Sequence, residues 1–561
     1  MREREKPRRR ERRLLRTVGW LETGLSRRKK REPREKGSTC PPRHRSMESI
    51  FHEAQQSLAK HRRCAERLRV LQRSTPPSDF AHAFFGCVCC LLPLFKREAS
   101  VERSVEFLVK FLTEPDEETS RGFEVHAERA VEQAGRASKT LAQSEEESHG
   151  GIANEEDEGE TEGGGSQDAL LSSVCMALLG LSDAKDKAVR FRVAQIVGRV
   201  MNAMPEEAEV AEELFSALEE RMLRRCRDKV PVVRACALRS LFRLQDPSEP
   251  DDKITGEMLR MMETDSSAEV RMAAISTIAP SKPAIRALLG RTRDTSENVR
   301  KHALSVIREK VEMRWLTISQ RAALLEQSLA DRAPAVRAAC VELTRAWLRK
   351  ADKQVLVLLK ALDVSMHESA AERVVRALME EAETRALVAA AAAQWQSLSP
   401  EPVLCLHVHL EYLAAEAKRS EDPKAEEALE GAVPELDAYC EALHRAVAAC
   451  NSPTRGQHDA ETIAASYSLV QLLRICPQLD MANEHGRVEL ENAFGTLLKD
   501  LGVADDLLAP LVCALKAVCI GEGERFQRLM HEFISEVDDP LEAVDGAATT
   551  DPAAADARLQ V

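Results

Sequence analysis

Four sets of side chains in this sequence have the types and spacing to do chemistry. Cys87, Cys89 and Cys90, in CVCC (87–90), are spaced like a fragment of a zinc knuckle, but no second Cys pair or His cluster follows at ligand distance. They read better as small thiols inside a helix. His407 and His409, in HVH, stand two apart, and helix neighbours at that spacing do not converge on one ligand. The third set is cationic: Lys60, Arg62 and Arg63; Lys96, Arg97 and Arg103; Arg192 and Arg199; Arg224, Arg225, Arg227 and Lys229; Arg291 and Arg293. Grouped cations either neutralise the phosphates of DNA or solvate a helix face, and these are the candidate DNA-binding residues. The fourth set is a carboxylate and a guanidinium six residues apart: Asp228 and Arg234, Asp265 and Arg271, Asp294 and Arg300, Asp331 and Arg337. Such a spacing lets the Arg of one repeat pair bidentately with the Asp of its neighbour, as a ladder.

No G-x-x-x-x-G-K-[ST], no G-x-G-x-x-G after a strand and no H-E-x-x-H occurs. The expectation is therefore a binding protein and not an enzyme. No catalytic residue, metal site, cofactor or small-molecule substrate is expected.

The fourth set also reveals the elements that must carry it. DKVPVVRACA (228–237), DSSAEVRMAA (265–274), DTSENVRKHA (294–303) and DRAPAVRAAC (331–340) share one outline. With Arg190 included, the Arg positions are spaced by 44, 37, 29 and 37 residues. Units of that length holding two antiparallel helices predict an all-α solenoid of HEAT or armadillo type. The Asp is placed to cap the second helix of each pair, the Val to enter the seam between repeats, and Ala237, Ala274, Ala303 and Cys340 to let the next helix approach. The earliest unit departs, with Asp186 four residues before Arg190 and Ala184 at the ladder position, which predicts different stacking there.

Bulk composition agrees. Aromatics are 4% and charged residues 31%, which suits helices with narrow apolar stripes. The fifteen Cys are scattered singly, and the reading is free thiols in a reducing compartment. The longest apolar run, FFGCVCCLLPLF (84–95), is too short for a bilayer, so no membrane is expected. The net charge of -12 hides a split: residues 1–46 hold 18 Lys+Arg against 6 Glu, and the rest is acidic.

These features predict a disordered basic arm over 1–46, which reads as an import signal, a nonspecific phosphate binder or an over-extended start. Solenoid helices are expected over 47–113. An acidic disordered insertion over 114–166 follows, with nine Asp/Glu in 145–162. Clear repeats occupy 167–380, degenerate helical repeats 381–540 and a disordered tail 541–561.

Several longer strings are more specific. KREASVERSVEF (96–107), AVRFRVAQIVGRVMNAMPEEAEV (188–210), RDKVPVVRACALRSLFRLQDP (227–247), IAPSKPAIRALLGRTRDTSENVRKHALSVIREKVEMRWLTISQRAALLEQSLADR (278–332) and AWLRKADKQVLVLLKALDV (346–364) closely resemble the G-type HEAT-repeat subunits of condensin. The likeness is strong from about Ser46 to Val364 and weaker to about Pro540. It implies a non-ATPase subunit that binds a kleisin segment in its groove, with the SMC ATPase subunits linked through it. It also implies a positively charged channel for double-stranded DNA in mitotic chromosome condensation. The implied location is the nucleus and chromosomes, with a cytoplasmic phase. Family members usually run several hundred residues longer, with a C-terminal arm that closes a horseshoe, whereas this sequence stops at Val561. The alternative is a HEAT scaffold of transport-receptor or phosphatase type that binds protein without DNA. The two differ in whether cations remain on the inner face beyond those the ladder consumes.

Overall fold

The computed structural model describes residues 42–95, 98–114, 162–205, 208, 211–249, 251–420, 423–450, 460–499, 505–519 and 523–538. The expected basic arm up to residue 41, Lys96, Arg97, the acidic stretch 115–161 and the tail lie outside them. Among the described residues the regular elements are α-helices and short 3-10 turns.

The chain opens with α1 (Pro42–Ala54), α2 (His61–Arg73), α3 (Pro77–Cys89) and α4 (Ala99–Thr113). Few aromatics are available, and they are pooled here: Phe51 meets Phe84 and Phe107 edge-on, at centroid distances of 5.7 and 5.4 Å. In α4 the stripe of Val101, Val105, Leu108 and Leu112 is buried, and Phe107, Val109 and Phe111 are buried beside it. The helix is thus covered on more than one face. The next helix, α5 (Glu162–Gly180), begins inside the stretch expected to be disordered to residue 166. Once a helix is nucleated, each added residue needs only one further bond, so the poor formers Gly163 to Gly165 are carried along.

Packing divides the chain into two units, up to Val299 and from Arg300. In the first, α5 pairs with α6 (Lys187–Ala203), α7 (Glu212–Arg225) with α8 (Pro231–Ser240), and α9 (Lys253–Thr264) with α10 (Ala268–Thr277). After α11 (Lys282–Arg291) comes α12 (Glu297–Lys310). First helices stack on first helices, α5 on α7, α7 on α9 and α9 on α11; second helices stack as α4, α6, α8 and α10. Two layers result, as a HEAT-type α-solenoid requires. Val233, Val270, Val299 and Val336 are fully buried, as are Ala237, Ala274, Ala303 and Cys340. Helix starts are specified locally, as where Asp252 accepts from the N–H groups of Ile254 and Thr255 at 3.1 and 2.9 Å.

The second unit contains α13 (Ile318–Leu329), α14 (Pro334–Lys350), α15 (Val355–Lys360), α16 (Glu368–Met379), α17 (Ala382–Ala392) and α18 (Pro400–Arg419). It continues through α19 (Pro423–Glu430), α20 (Leu436–Cys450), α21 (Ala460–Ile475), α22 (Glu484–Lys499), α23 (Asp505–Val518) and α24 (Gly523–Asp538). Here the stacking is less regular. Helix α15 has only six residues, and three left-handed residues bracket it: Asp352, Lys353 and Asp363, at φ of 53°, 59° and 54°. A helix so short cannot fill its layer. Accordingly α16 rests chiefly on α13 and touches α14 lightly, which leaves a cleft between α14 and α16. Further on, α18, α21 and α23 resume second-helix stacking.

Candidate functional site

The ladder is built as a double fork. Arg234 donates through Nε and Nη2 to the Asp265 carboxylate at 2.8 and 2.7 Å, while Nη1 donates to the carbonyl of Asp228, in its own turn, at 2.9 Å. Arg271 repeats this on Asp294 at 2.8 and 2.7 Å, with Nη1 on the Asp265 carbonyl at 2.7 Å. Arg190 reaches Asp228 at 2.7 and 3.2 Å. In the second unit Arg300 reaches Asp331 at 2.7 and 2.8 Å. Arg234 and Arg271 therefore each tie their own turn to the carboxylate of the following repeat.

The carboxylates do not cap helices as the sequence suggested. Asp228, Asp265 and Asp331 stand three residues before helices whose N-cap residues are Val230, Ser267 and Ala333. Each accepts the N–H of that N-cap residue, at 2.9, 2.8 and 2.8 Å, closing an Asx turn. Both carboxylate oxygens still face the incoming arginine, so one of them serves the turn and the fork together. Asp186 is the one that caps, accepting from Ala188 at 2.8 Å. The expectation that its repeat stacks differently is also corrected. Arg190 uses the Ala184 carbonyl at 2.9 Å as later arginines use an Asp carbonyl, because that bond needs no side chain.

Burial alone would push the Asp228 and Asp294 carboxyls up. Hydrogen bonds from Arg190 and Val230 to the first, and from Arg271 and Ser296 to the second, outweigh it and hold both below the ordinary carboxylate range.

The cationic candidates separate once their neighbours are known. Arg192 is withdrawn: its guanidinium is 0% exposed, donating to the Leu94 carbonyl at 2.6 Å and to Glu102 at 3.0 Å. Arg199 shares Glu102, and Arg103 donates to the Gln55 carbonyl at 2.8 Å. Arg224 and Arg225 converge on Asp183 at 2.9 and 2.8 Å, and Arg225 also touches Asp228 at 3.0 Å. Arg291 braces Asp294 at 3.2 Å. Lys60 donates to Gln56 at 3.0 Å, and Arg62 lies 3.4 Å from Glu66. The exposed remainder is Arg63, Arg227, Lys229 and Arg293, of which Arg227 stands 3.4 Å from Glu257.

Three of these share a place. Arg227 and Lys229 flank Asp228, and Arg293 precedes Asp294, so they sit on the turns that join first to second helices. Lys185, beside Ala184, and in the second unit Arg332, beside Asp331, are exposed at the same register and were missed. The signal was available: adjacency to the ladder position, which matters more than local charge density.

Cys87, Cys89, His407 and His409 all lie in the core. Among the described residues no group of three or more His, Cys, Asp or Glu could hold a metal ion. Cys87 and Cys89 are buried, and burial pushes their thiols up to about 12. His407 and His409 are both buried, because α18 is enclosed by α16, α17, α19 and α21 and its residues 402–410 are buried throughout. His407 lies 2.8 Å from Gln471 and 3.4 Å from Glu411. Its hydrogen bond, with help from Arg376, holds the Glu411 carboxyl at about 2 against burial. Among the described residues no helix is long and apolar enough to cross a membrane.

The second-helix layer is tightest where α6 crosses α8. A Cβ on Gly198 would lie 2.7 Å from Ser240 Oγ and 3.2 Å from its backbone, while Ser240 Oγ donates to the Ala194 carbonyl at 2.9 Å. Gly198→Val is expected to lower stability by about 1–3 kcal/mol through overpacking. Gly290→Ala is the control, since its Cβ meets nothing within 4 Å, and should gain about 0.5–1 kcal/mol. Denaturant melts of both variants check this, and a Gly198→Val protein as stable as wild type would show that the layer is loose.

Comparison with known proteins bears on what this ladder-braced solenoid belongs to. No family model matches. The human condensin complex subunit 3 is 31% identical over 525 residues, 91% of this chain and 47% of the relative. The chain belongs to the condensin subunit 3 family. The Xenopus laevis subunit 3 is 29% identical over 89% of the chain and 45% of the relative. The Cnd3-Cnd2 subcomplex of S. pombe condensin matches the fold with a TM-score of 0.67, at 24% identity, covering 88% of this chain and 56% of that one. The chain thus spans about half the length of the curated condensin subunits it matches.

Proposed function

We propose that the chain acts as the non-ATPase HEAT-repeat subunit of condensin, binding the kleisin subunit along its second-helix layer and double-stranded DNA along its cationic turns. The SMC ATPases would be reached through the kleisin, and the protein would act in the nucleus on mitotic chromosomes, with a cytoplasmic phase. The observation that carries this reading is the relation to condensin subunit 3 across 91% of the chain. A solved relative whose name pairs Cnd3 with Cnd2 supports a subunit partner. Support for DNA comes from Arg227, Lys229 and Arg293, cations the ladder leaves exposed in a chain that is acidic beyond residue 46.

Phosphate binding requires several cations facing one way, so a partner that adds cations should raise duplex affinity. The test is titration of labelled duplex across a salt series, with and without the kleisin of the same organism, using a chain lacking residues 1–46. Affinity should fall with a log–log slope of about −0.9 per neutralised phosphate and depend little on sequence. Arg227→Glu, Lys229→Glu and Arg293→Glu together should flatten that slope by roughly 0.9 for each phosphate no longer neutralised, leaving kleisin binding intact. Arg224 and Arg225 are unsuitable for this test, because they hold Asp183 and a ladder carboxylate. Salt-insensitive binding, or none when the kleisin demonstrably docks, would favour a scaffold that binds protein alone.

A further inference from the structure

The ladder runs out at Arg337. Its Nη1 donates to the Asp331 and Arg332 carbonyls at 2.7 and 3.2 Å, as Arg190 and Arg234 do in their own turns. The position that should supply its carboxylate, three residues before α16, is Ser365. Among the described residues no carboxylate lies within ion-pair distance of Arg337. Arg373, exposed on α16, likewise has none.

Both arginines line the cleft between α14 and α16, which encloses about 560 Å³. Its apolar wall comes from Leu329, Pro334, Ala338, Val341 and Ala377. Two further arginines are already engaged there, Arg345 with Glu342 and Glu381 at 3.0 and 2.8 Å and Arg376 with Glu372 and Glu411, both at 2.6 Å. The cleft therefore offers two guanidinium groups with no carboxylate partner among the described residues, over an apolar surface.

We infer that this cleft anchors an acidic side chain of an extended protein segment, with Arg337 and Arg373 gripping a carboxylate supplied in trans where the chain's own ladder carboxylate is missing. The segment belongs to the kleisin, so the inference rests on the reading above. Charge complementarity favours an Asp or Glu, the group that Arg190, Arg234, Arg271 and Arg300 hold in cis. The apolar wall favours a peptide with aliphatic neighbours. Duplex DNA would offer the same two guanidinium groups a phosphate but nothing to cover the apolar wall, which favours the peptide.

The test titrates a labelled kleisin fragment from the same organism against the full chain. Arg337→Glu with Arg373→Glu should weaken binding roughly 10–100-fold, the worth of a charge-assisted pair. One Asp or Glu→Ala in the kleisin should cause a similar loss, and combining it with the chain variant should add nothing further. Arg337→Lys with Arg373→Lys keeps charge but not the planar fork, and an intermediate loss is expected; it guards against a folding defect. Equal binding by wild type and both variants overturns the inference while the kleisin reading stands. A wild-type chain that does not bind the kleisin overturns both. Loss of duplex binding with kleisin binding retained assigns the cleft to nucleic acid and also overturns the inference.

Discussion

Arg271→Ala is expected to lower the free energy of unfolding by about 3–5 kcal/mol, the cost of stranding a buried charge. Arg271 and Asp294 are 8% and 6% exposed, and their two hydrogen bonds are 2.8 and 2.7 Å. In the variant, Asp294 keeps Arg291 at 3.2 Å and the Ser296 N–H at 2.9 Å but loses its bidentate partner. The Asp265 carbonyl also loses a donor. A double-mutant cycle with Asp294→Asn separates the pair from its surroundings. The loss should depend on pH. A carboxyl whose folded pKa is depressed contributes stability that is present above its unfolded value, near 3.9, and is lost as pH falls through the folded value. Wild type should therefore lose stability faster than the variant below about pH 4, and the gap between them should narrow. Melts at pH 7 and pH 3 read this directly. A variant that melts like wild type yet fails to bind DNA would show that the arginine is a nucleic-acid contact and that the ladder is incidental.

Arg192→Ala is the second large effect, again about 3–5 kcal/mol. Its guanidinium is inaccessible and joins α6 to α4 and to the residues before α4, through Glu102 and the Leu94 carbonyl. Burial would push the Glu102 carboxyl up, but hydrogen bonds from Arg192, Gln195 and Arg199 hold it below the ordinary value. Without Arg192 the carboxylate keeps Arg199 and Gln195, while the Leu94 carbonyl is left without this donor. Duplex affinity per folded molecule should not change, because a buried cation cannot meet a phosphate. Paired measurements of melting and of DNA binding at a temperature where the variant remains folded decide it. Weaker DNA binding by a fully stable variant would restore Arg192 to the candidate surface.

Arg192 also shows why local charge density is a poor guide in a solenoid. It lies in VRFRV, two residues from Arg190; the Val-Arg pair marks Arg190 as a repeat position, but nothing in that string marks Arg192 as fully buried. The difference comes from α4, about ninety residues earlier, which covers one side of α6 and brings Glu102 to it. Arg224 and Arg225 escape a reading by charge density for the same reason, since Asp183 approaches from the preceding repeat.

The sequence by itself determined the periodic part of this protein. Apolar residues at helical spacing decided which segments are helices, and the six-residue interval from Asp to Arg predicted a ladder between repeats. Those features are legible because they depend on one turn of chain and repeat. Tertiary structure alone decided what covers each face. It decided that the ladder carboxylates close Asx turns instead of capping helices, and that α18 is enclosed so fully that both histidines of HVH are buried. It also decided that a six-residue α15 lets α16 settle on α13 and opens the cleft at Arg337. The physical reason is the same in each case. A residue's backbone conformation is set by its near neighbours, whereas its burial and its partner are set by the stacked repeat, between 23 and 90 residues away in this chain.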